Sequence, residues 1–164
     1  MSERPIIADS GPLISLARIG QLHLIPQLFF KVRIPDAVMR EVTQGAAEGR
    51  PGATEIRNAE WVEVIDVPVN LVAGYALLVD AGEAAAIALA KQDCGLLLMD
   101  DDRGRRLALR LGLDVKGTLG LLVLAKKRGH IPDVRTSLDA LVRAGIHVSR
   151  QLLEATLRAV NESA

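Results

Sequence analysis

The chain has 164 residues, the size of one ordinary domain, since chains supply about 100 to 200 residues per domain. Hydrophobic residues make up 49% and charged residues 24%, which excludes a disordered chain and predicts a packed core. Twenty Lys+Arg balance twenty Asp+Glu, so no net field draws the whole molecule to a polyanion and any such site is local.

Cys94 is the only cysteine, which excludes an internal disulfide and a multi-cysteine zinc site and fits a reducing compartment. The first twenty residues lack the continuous apolar region of a signal peptide, and no run reaches the roughly 18 apolar residues of a membrane span. The expectation is a cytoplasmic protein without membrane association. Phe29, Phe30, Trp61 and Tyr75 are the whole aromatic set, so stacking of nucleobases is not a main tool of this surface.

In chain order, Ile6-Ile7-Ala8 reads as a strand ended by Asp9-Ser10-Gly11-Pro12 and followed by a helix through Leu13, Leu16 and Ala17. Lys31 to Ile34 reads as a second strand closed by Pro35. Asp36 then caps a helix through Val38, Met39 and Val42 that Thr43-Gln44-Gly45 stops. Ala46 to Gly52 reads as an exposed loop. Trp61 to Val67 alternates apolar and acidic residues, as an edge strand with one wet face does.

Val69 to Val79 is apolar and predicts a helix, and Asp80 begins another through Ala84, Ile87, Ala88 and Lys91. Leu96 to Met99 is apolar on both faces, the pattern of a central parallel strand. Asp100-Asp101-Asp102 and a basic helix, Arg103 to Leu111, follow it. Asp114 to Lys116 suggests one more short strand, with a helix from Thr118 to Lys127. Val134 to Val160 reads as two helices separated by Gly145 to Ser149. The alternation predicts a single α/β domain, a three-layer α/β/α sandwich on a mainly parallel sheet, with a core at about 5–130 and helices over about 131–164.

In such sheets ligands sit beyond the carboxyl ends of the strands, so acids at strand ends carry the interest. Asp9, Asp100 and Asp101 end strands, while Glu41 and Glu83 lie on helices with largely apolar neighbours. Converging carboxylates repel one another, and an oxygen-only set favours Mg²⁺ or Mn²⁺ over zinc. Each acid also has a structural reading. Asp9 suits a helix cap, Asp80 to Glu83 has the spacing of a capping box, Glu41 suits a solvated helix position, and Asp101 and Asp102 stand four residues before Arg105 and Arg106, the spacing of helix ion pairs. His23, His130 and His147 fall outside the acidic segments and read as surface or packing residues.

Taken in order, IIADSGPLI, IPDAVMREV, DAGEAAAIALA and LLLMDDDRGRRLALRLGL resemble the four acid-bearing segments of PIN-domain nucleases, the fold of many RNA-cleaving toxins of prokaryotic toxin–antitoxin pairs. The steps of 32, 42 and 18 residues from Asp9 to Glu41, Glu83 and Asp101 are of the kind that family shows. DAGEA, LLLMDD, GTLG and the tail IPDVRTSLDALVRAGI resemble a PIN-like branch of bacteria and archaea. Glu83 stands where many members have Asp.

The resemblance implies a metal-dependent ribonuclease, the toxin of a type II pair, in which Asp9, Glu41, Glu83 and Asp101 hold Mg²⁺ or Mn²⁺, with Asp100 a second claimant to the fourth position and Ser10 helping to place substrate or metal. Arg103, Arg105, Arg106, Arg110, Lys116 and Thr118 are the candidates for holding phosphate against the acids' repulsion. RNA is the implied substrate, an antitoxin a possible partner, and a homodimer the implied assembly.

Two other readings stay open. The Leu-rich C-terminal segments, SLDALVRAGI and RQLLEATLRAV, suit a non-catalytic PIN-like module that binds a protein partner. A phospho-acceptor domain also gathers acids, a Thr and a Lys at strand ends, but it would leave Glu41 and Glu83 without a role.

Overall fold

The computed structural model describes residues 4–163, the side chains of 45 and 46 excepted. The terminal residues of the expected single domain, 1–3 and 164, lie outside that range. Five short strands, β1 (Ile6–Ala8), β2 (Val32–Pro35), β3 (Val62–Ile65), β4 (Leu96–Leu98) and β5 (Asp114–Lys116), form one sheet in the order β3-β2-β1-β4-β5. Every pairing is parallel. The connecting helices are α1 (Ser10–Arg18), α2 (Leu24–Phe29), α3 (Asp36–Ala47), α4 (Ala53–Asn58), α5 (Val69–Val72), α6 (Ala81–Asp93), α7 (Asp102–Arg110), α8 (Thr118–Lys127), α9 (Arg135–Arg143) and α10 (Arg150–Ala159).

The strands alternate their side chains between two cores, as the period of two demands. Ile7 and Leu97 face a layer containing Ala86, Ile87, Leu89 and Ala90 of α6 and Ala108 of α7. Ala8 and Leu98 face the opposite layer, with Leu13 and Leu16 of α1, Leu121 and Leu122 of α8, and Leu138 and Leu157 of the last two helices. Burial on both sides explains the unbroken apolar character of β4. The outcome is the expected three-layer α/β sandwich, with α9 and α10 closing over α8.

The chain builds outward from β1 to β2 and β3, then crosses back to lay β4 on the other side of β1 and β5 beyond it. The strand order therefore reverses between β1 and β4, and the chain leaves these neighbouring strands in different directions. A crevice opens at such a switch point, beyond the carboxyl ends of the strands. Asp9 follows β1 directly, and Met99, Asp100 and Asp101 follow β4.

Several local expectations need correction. Val69–Val79 is not one helix: α5 ends at Val72, and a separate 3-10 turn covers Tyr75–Leu77. Its apolar residues lack a helical stripe to bury, and Val69 and Leu77 stay 82% and 87% exposed. The helix expected to stop by Gly45 continues to Ala47, and α2 and α4, of six residues each, had no expectation. Six residues give fewer than two turns, too little for a 3.6-residue period to emerge. Strand β2 is shifted by one and includes Pro35, tolerated at its last position where no further ladder bond is needed.

Candidate acidic site

The backbone of Asp9 is pinned to the end of β4, its N–H donating to the Leu98 carbonyl at 2.9 Å. Asp9 occupies the N-cap position of α1, but its side chain makes no capping hydrogen bond. The cap reading therefore fails for the carboxylate. The residue is only 5% exposed, and Oδ1 has no hydrogen-bond partner. Burial with one oxygen unpartnered disfavours the charged form of a carboxylate. Burial, with the charges of Glu41, Glu83 and Asp80 adding to it and the Ser10 amide opposing, pushes the Asp9 pKa up to about 7.

Glu41 reaches this place from α3. Its carboxylate lies directly over the Cα of Gly82 in the first turn of α6, where any Cβ would collide with Oε1. Glycine is thus required by close approach rather than by backbone conformation. Ser10 Oγ donates to Glu41 Oε2 at 3.2 Å, so the residue after Asp9 holds the second acid. Burial and the Asp80 charge raise the Glu41 pKa, against the opposing bonds from Ser10 and the Gly82 amide.

Glu83 and Asp80 form a complete capping box on α6, as the spacing suggested. The Glu83 N–H donates to Asp80 Oδ1 at 2.8 Å and the Asp80 N–H to Glu83 Oε2 at 3.1 Å. The box does not remove Glu83 from the cluster. Burial, and then the charges of Asp80 and Asp101 against the Asp80 amide, push its pKa up to about 7, with a carboxyl–carboxyl hydrogen bond to Asp101 in addition. Asp101 is itself the N-cap of α7, its Oδ2 accepting from the Gly104 N–H at 2.9 Å.

Asp100 points elsewhere. Both of its oxygens are taken by Thr118 at the start of α8, the amide at 2.7 Å and the hydroxyl at 2.6 Å. It is also absent from the charges that act on Asp9, Glu41 and Glu83. Asp9, Glu41, Glu83 and Asp101 thus gather, whereas Asp100 and Thr118 bind each other. Sequence reasoning assigned Asp80 only a capping role. The fold sets its charge against Asp9, Glu41 and Glu83 as well, which only knowledge of how α3 meets α6 could reveal.

The basic candidates separate. Arg103 lines the depression beside Asp80, Glu83 and Asp101. Arg105 turns back and donates to the Met99 carbonyl at 3.0 Å. Lys116 and Thr118 line a different cavity, toward α10. The expected ion pairs of Asp101 with Arg105 and Asp102 with Arg106 do not form. Among the described residues the i,i+4 pairs are Arg40–Asp36, Arg135–Asp139 and Arg150–Glu154. His23, His130 and His147 are exposed and line none of these depressions.

This donor set suits a hard divalent cation: it is all oxygen, one member is buried with an unused lone pair, and the charges raise one another's pKa values. No three such side chains converge into a ready-made cage among the described residues. The helix caps explain this, because they draw Glu83 toward the Asp80 amide and Asp101 toward Gly104, while Ser10 and Gly82 hold Glu41.

No curated protein matches the chain. A family model described as a PIN domain matches residues 5–162, from the start of β1 through α10. With its parallel sheet and acids at the switch point, the chain belongs to the PIN-domain family.

Proposed function

We propose that this protein hydrolyses RNA phosphodiester bonds at the acidic cluster, with Asp9, Glu41, Glu83 and Asp101 holding Mg²⁺ or Mn²⁺, as the toxin of a type II toxin–antitoxin pair. PIN domains are generally nucleases and usually use divalent metals. The observation that carries the reading is the unpartnered Oδ1 of Asp9, buried among acids at the switch point. A structural carboxylate would be hydrogen-bonded.

When bound, the ion supplies a water of lowered pKa and offsets charge on the phosphate. The chain's own residues prepare for it. Ser10 and the Gly82 amide fix the Glu41 carboxylate, and the two capping interactions fix Glu83 and Asp101 from their own helix starts. Thr118 keeps Asp100 out of the cluster. Asp9 and Glu83, pushed up to about 7, would have to give up their protons to hold the cation, so affinity for it is expected to rise with pH through that region.

The test is cleavage of a labelled single-stranded RNA with Mg²⁺, Mn²⁺ or EDTA, comparing wild type with Asp9→Asn and Glu83→Gln after circular dichroism has shown all three folded. Cleavage that needs the metal and falls at least 100-fold in both variants is expected, in line with the loss of a metal-held group. Equal cutting by the variants, or none by wild type on varied RNAs, removes the reading. A protein-binding module without catalysis is then the alternative. The C-terminal helices support it weakly, because Leu138, Leu141, Leu157 and Val160 turn into the protein's own core and leave Val142 and Leu152 about half exposed.

A further inference from the structure

Two depressions lie side by side along α7, the first of them beside the acidic cluster. The first, of about 380 Å³, is lined by Leu77, Leu78, Val79, Asp80, Glu83, Asp101 and Arg103. The second, of about 180 Å³, is lined by Leu78, Val79, Arg103, Arg106, Leu107 and Arg110. They share Leu78, Val79 and Arg103, so one trough begins among the acids and ends among arginines.

The arginines stand at positions i, i+3 and i+7 of one helix, hence on one face. At 1.5 Å per residue they span about 10 Å, against about 7 Å of rise from the first to the third of three successive phosphates at about 3.4 Å a step in a stacked strand, a difference that long guanidinium side chains cover. None of the three has an ion-pair or hydrogen-bond partner among the described residues, which is true also of Arg57, Arg143 and Arg158, whereas Arg4, Arg18, Arg33, Arg40, Arg50, Arg105, Arg128, Arg135 and Arg150 have one; what sets the three on α7 apart is that they line up beside the acidic cluster. No carboxylate lines the second depression. Free guanidinium groups in a row suit successive phosphates better than they suit the protein.

The opposite flank offers a larger space, of about 560 Å³, but a different charge. There Arg105 and Lys116 face Asp100 and Asp102, and Arg105 is already bound to the Met99 carbonyl. Its charges cancel within the protein. On the α7 flank Arg103 stands beside the acids, but Arg106 and Arg110 beyond it line a space without carboxylates, and this flank presents Leu77 and Leu78, 87% and 53% exposed, as an apolar wall.

We infer that the single strand of RNA on one side of the scissile phosphate runs along this trough, with Arg103, Arg106 and Arg110 on three successive phosphates and Leu77 and Leu78 against the sugar and base edges. The inference rests on the proposed nuclease reading, and it names the path and footprint of that substrate. Recognition here follows the backbone and does not read sequence.

The experiment is binding of a labelled 12-nucleotide single-stranded RNA, followed by fluorescence anisotropy across a salt series in EDTA, so that binding is read without metal-dependent cutting. Each phosphate contact contributes about 0.7 to the slope of log K against log salt for a single strand, or about fivefold at 0.1 M salt. Arg106→Ala/Arg110→Ala is therefore expected to lose about 25-fold in affinity and about 1.4 in slope. Arg143→Ala/Arg158→Ala, which removes the same net charge from the C-terminal helices, is expected to change neither measurably.

Equal losses in both double variants would mean an effect of net charge and overturn the trough. So would a loss confined to Arg105→Ala/Lys116→Ala, which would put the strand on the other flank, and so would a wild type that does not bind. Cleavage is scored separately. A wild type that binds with the expected slope and loses it in Arg106→Ala/Arg110→Ala, yet does not cut, supports the trough and removes the nuclease reading. A wild type that cuts while that variant binds as well as it does overturns the trough alone.

Discussion

Asp9 concentrates the conflict between folding and chemistry in one side chain. Its carboxyl has an ordinary pKa of 3.8 and is pushed up to about 7 in the folded protein, by burial first and by neighbouring acids second. A raised folded-state pKa means that the native state prefers the proton. The stabilisation from this group is therefore complete below about pH 3.8 and is lost as pH rises through about 7. Glu83, with its ordinary 4.5 moved to about 7, acts in the same direction with less weight, since it is only half-buried. Asp9→Asn removes the charge and keeps the size. In EDTA at pH 8 the variant is expected to melt roughly 3–8 °C above wild type, given about 2–4 °C per kcal/mol for a domain of this size, and the gap is expected to close toward pH 5. Addition of Mn²⁺ should raise the melting temperature of wild type only. A variant that melts below wild type at pH 8 would show that Asp9 is held by partners and is no strained ligand.

At the scale of elements, the site depends on how α3 meets α6, and Gly82 is the point of contact. Gly82 is buried, but the three atoms nearest to an added Cβ all belong to the end of the flexible Glu41 side chain, and Ala is favoured over Gly in a helix by about 1 kcal/mol, so Gly82→Ala is expected to leave the fold and the melting temperature within a few degrees of wild type. The added Cβ forces the Glu41 carboxylate off its place. A displacement of about 1 Å at a reacting site costs on the order of 100-fold, and metal-dependent cleavage is expected to fall by 10- to 100-fold. Unchanged cleavage in a folded Gly82→Ala protein would show that Glu41 has no need of its seat on α6. The strands and long helices around this contact were readable from the chain because their signals are local: apolar runs ended by Asp, and a capping box. The contact itself was not readable, since 41 residues separate Glu41 from Gly82 and no local pattern reports such closeness. The register within Asp100-Asp101-Asp102 stayed open for the same reason. Thr118 closes on Asp100 across the sheet edge while Asp101 faces Glu83, which is the ground for giving Asp101 the fourth place in the proposed site. Helical periodicity alone was enough to put Arg103, Arg106 and Arg110 on one face, but which face borders the acids depends on the crossover from β3 to β4.

Over the whole molecule, one carboxylate gathers three of the bonds that fasten the two C-terminal helices, beside those of Lys126 to the Val160 carbonyl and of Ser137 to Gln21. Glu162 Oε1 accepts from Lys126 Nζ on α8 at 2.6 Å and from the Val134 amide at 2.8 Å, and Oε2 accepts from the Arg135 amide at 2.9 Å. One residue after α10 therefore ties that helix to the end of α8 and the start of α9, closing a loop that runs from the sheet through three helices and back. Its side chain is 14% exposed. Burial pushes its pKa up, but the Lys126 ammonium and the two amides outweigh this, and the net shift is downward. A lowered folded-state pKa gives stability that is present above the ordinary value and lost as pH falls through the folded one, the opposite sign to Asp9. Glu162→Gln keeps the shape and removes the charge, and the loss of charge-assisted bonds is expected to cost about 1–3 kcal/mol at pH 7, or roughly 2–12 °C in melting temperature. The difference is expected to shrink as pH falls below the ordinary carboxylate range and through the lowered folded-state value, where the wild-type carboxylate takes up its proton. Because α10 also walls the cavity beside Lys116 but takes no part in the acidic cluster, metal-induced stabilisation is expected to survive in Glu162→Gln and vanish in Asp9→Asn. Measuring both melting curves with and without Mn²⁺ separates the fastening of the molecule from the construction of its site, and loss of the metal response in Glu162→Gln would show that the two are coupled.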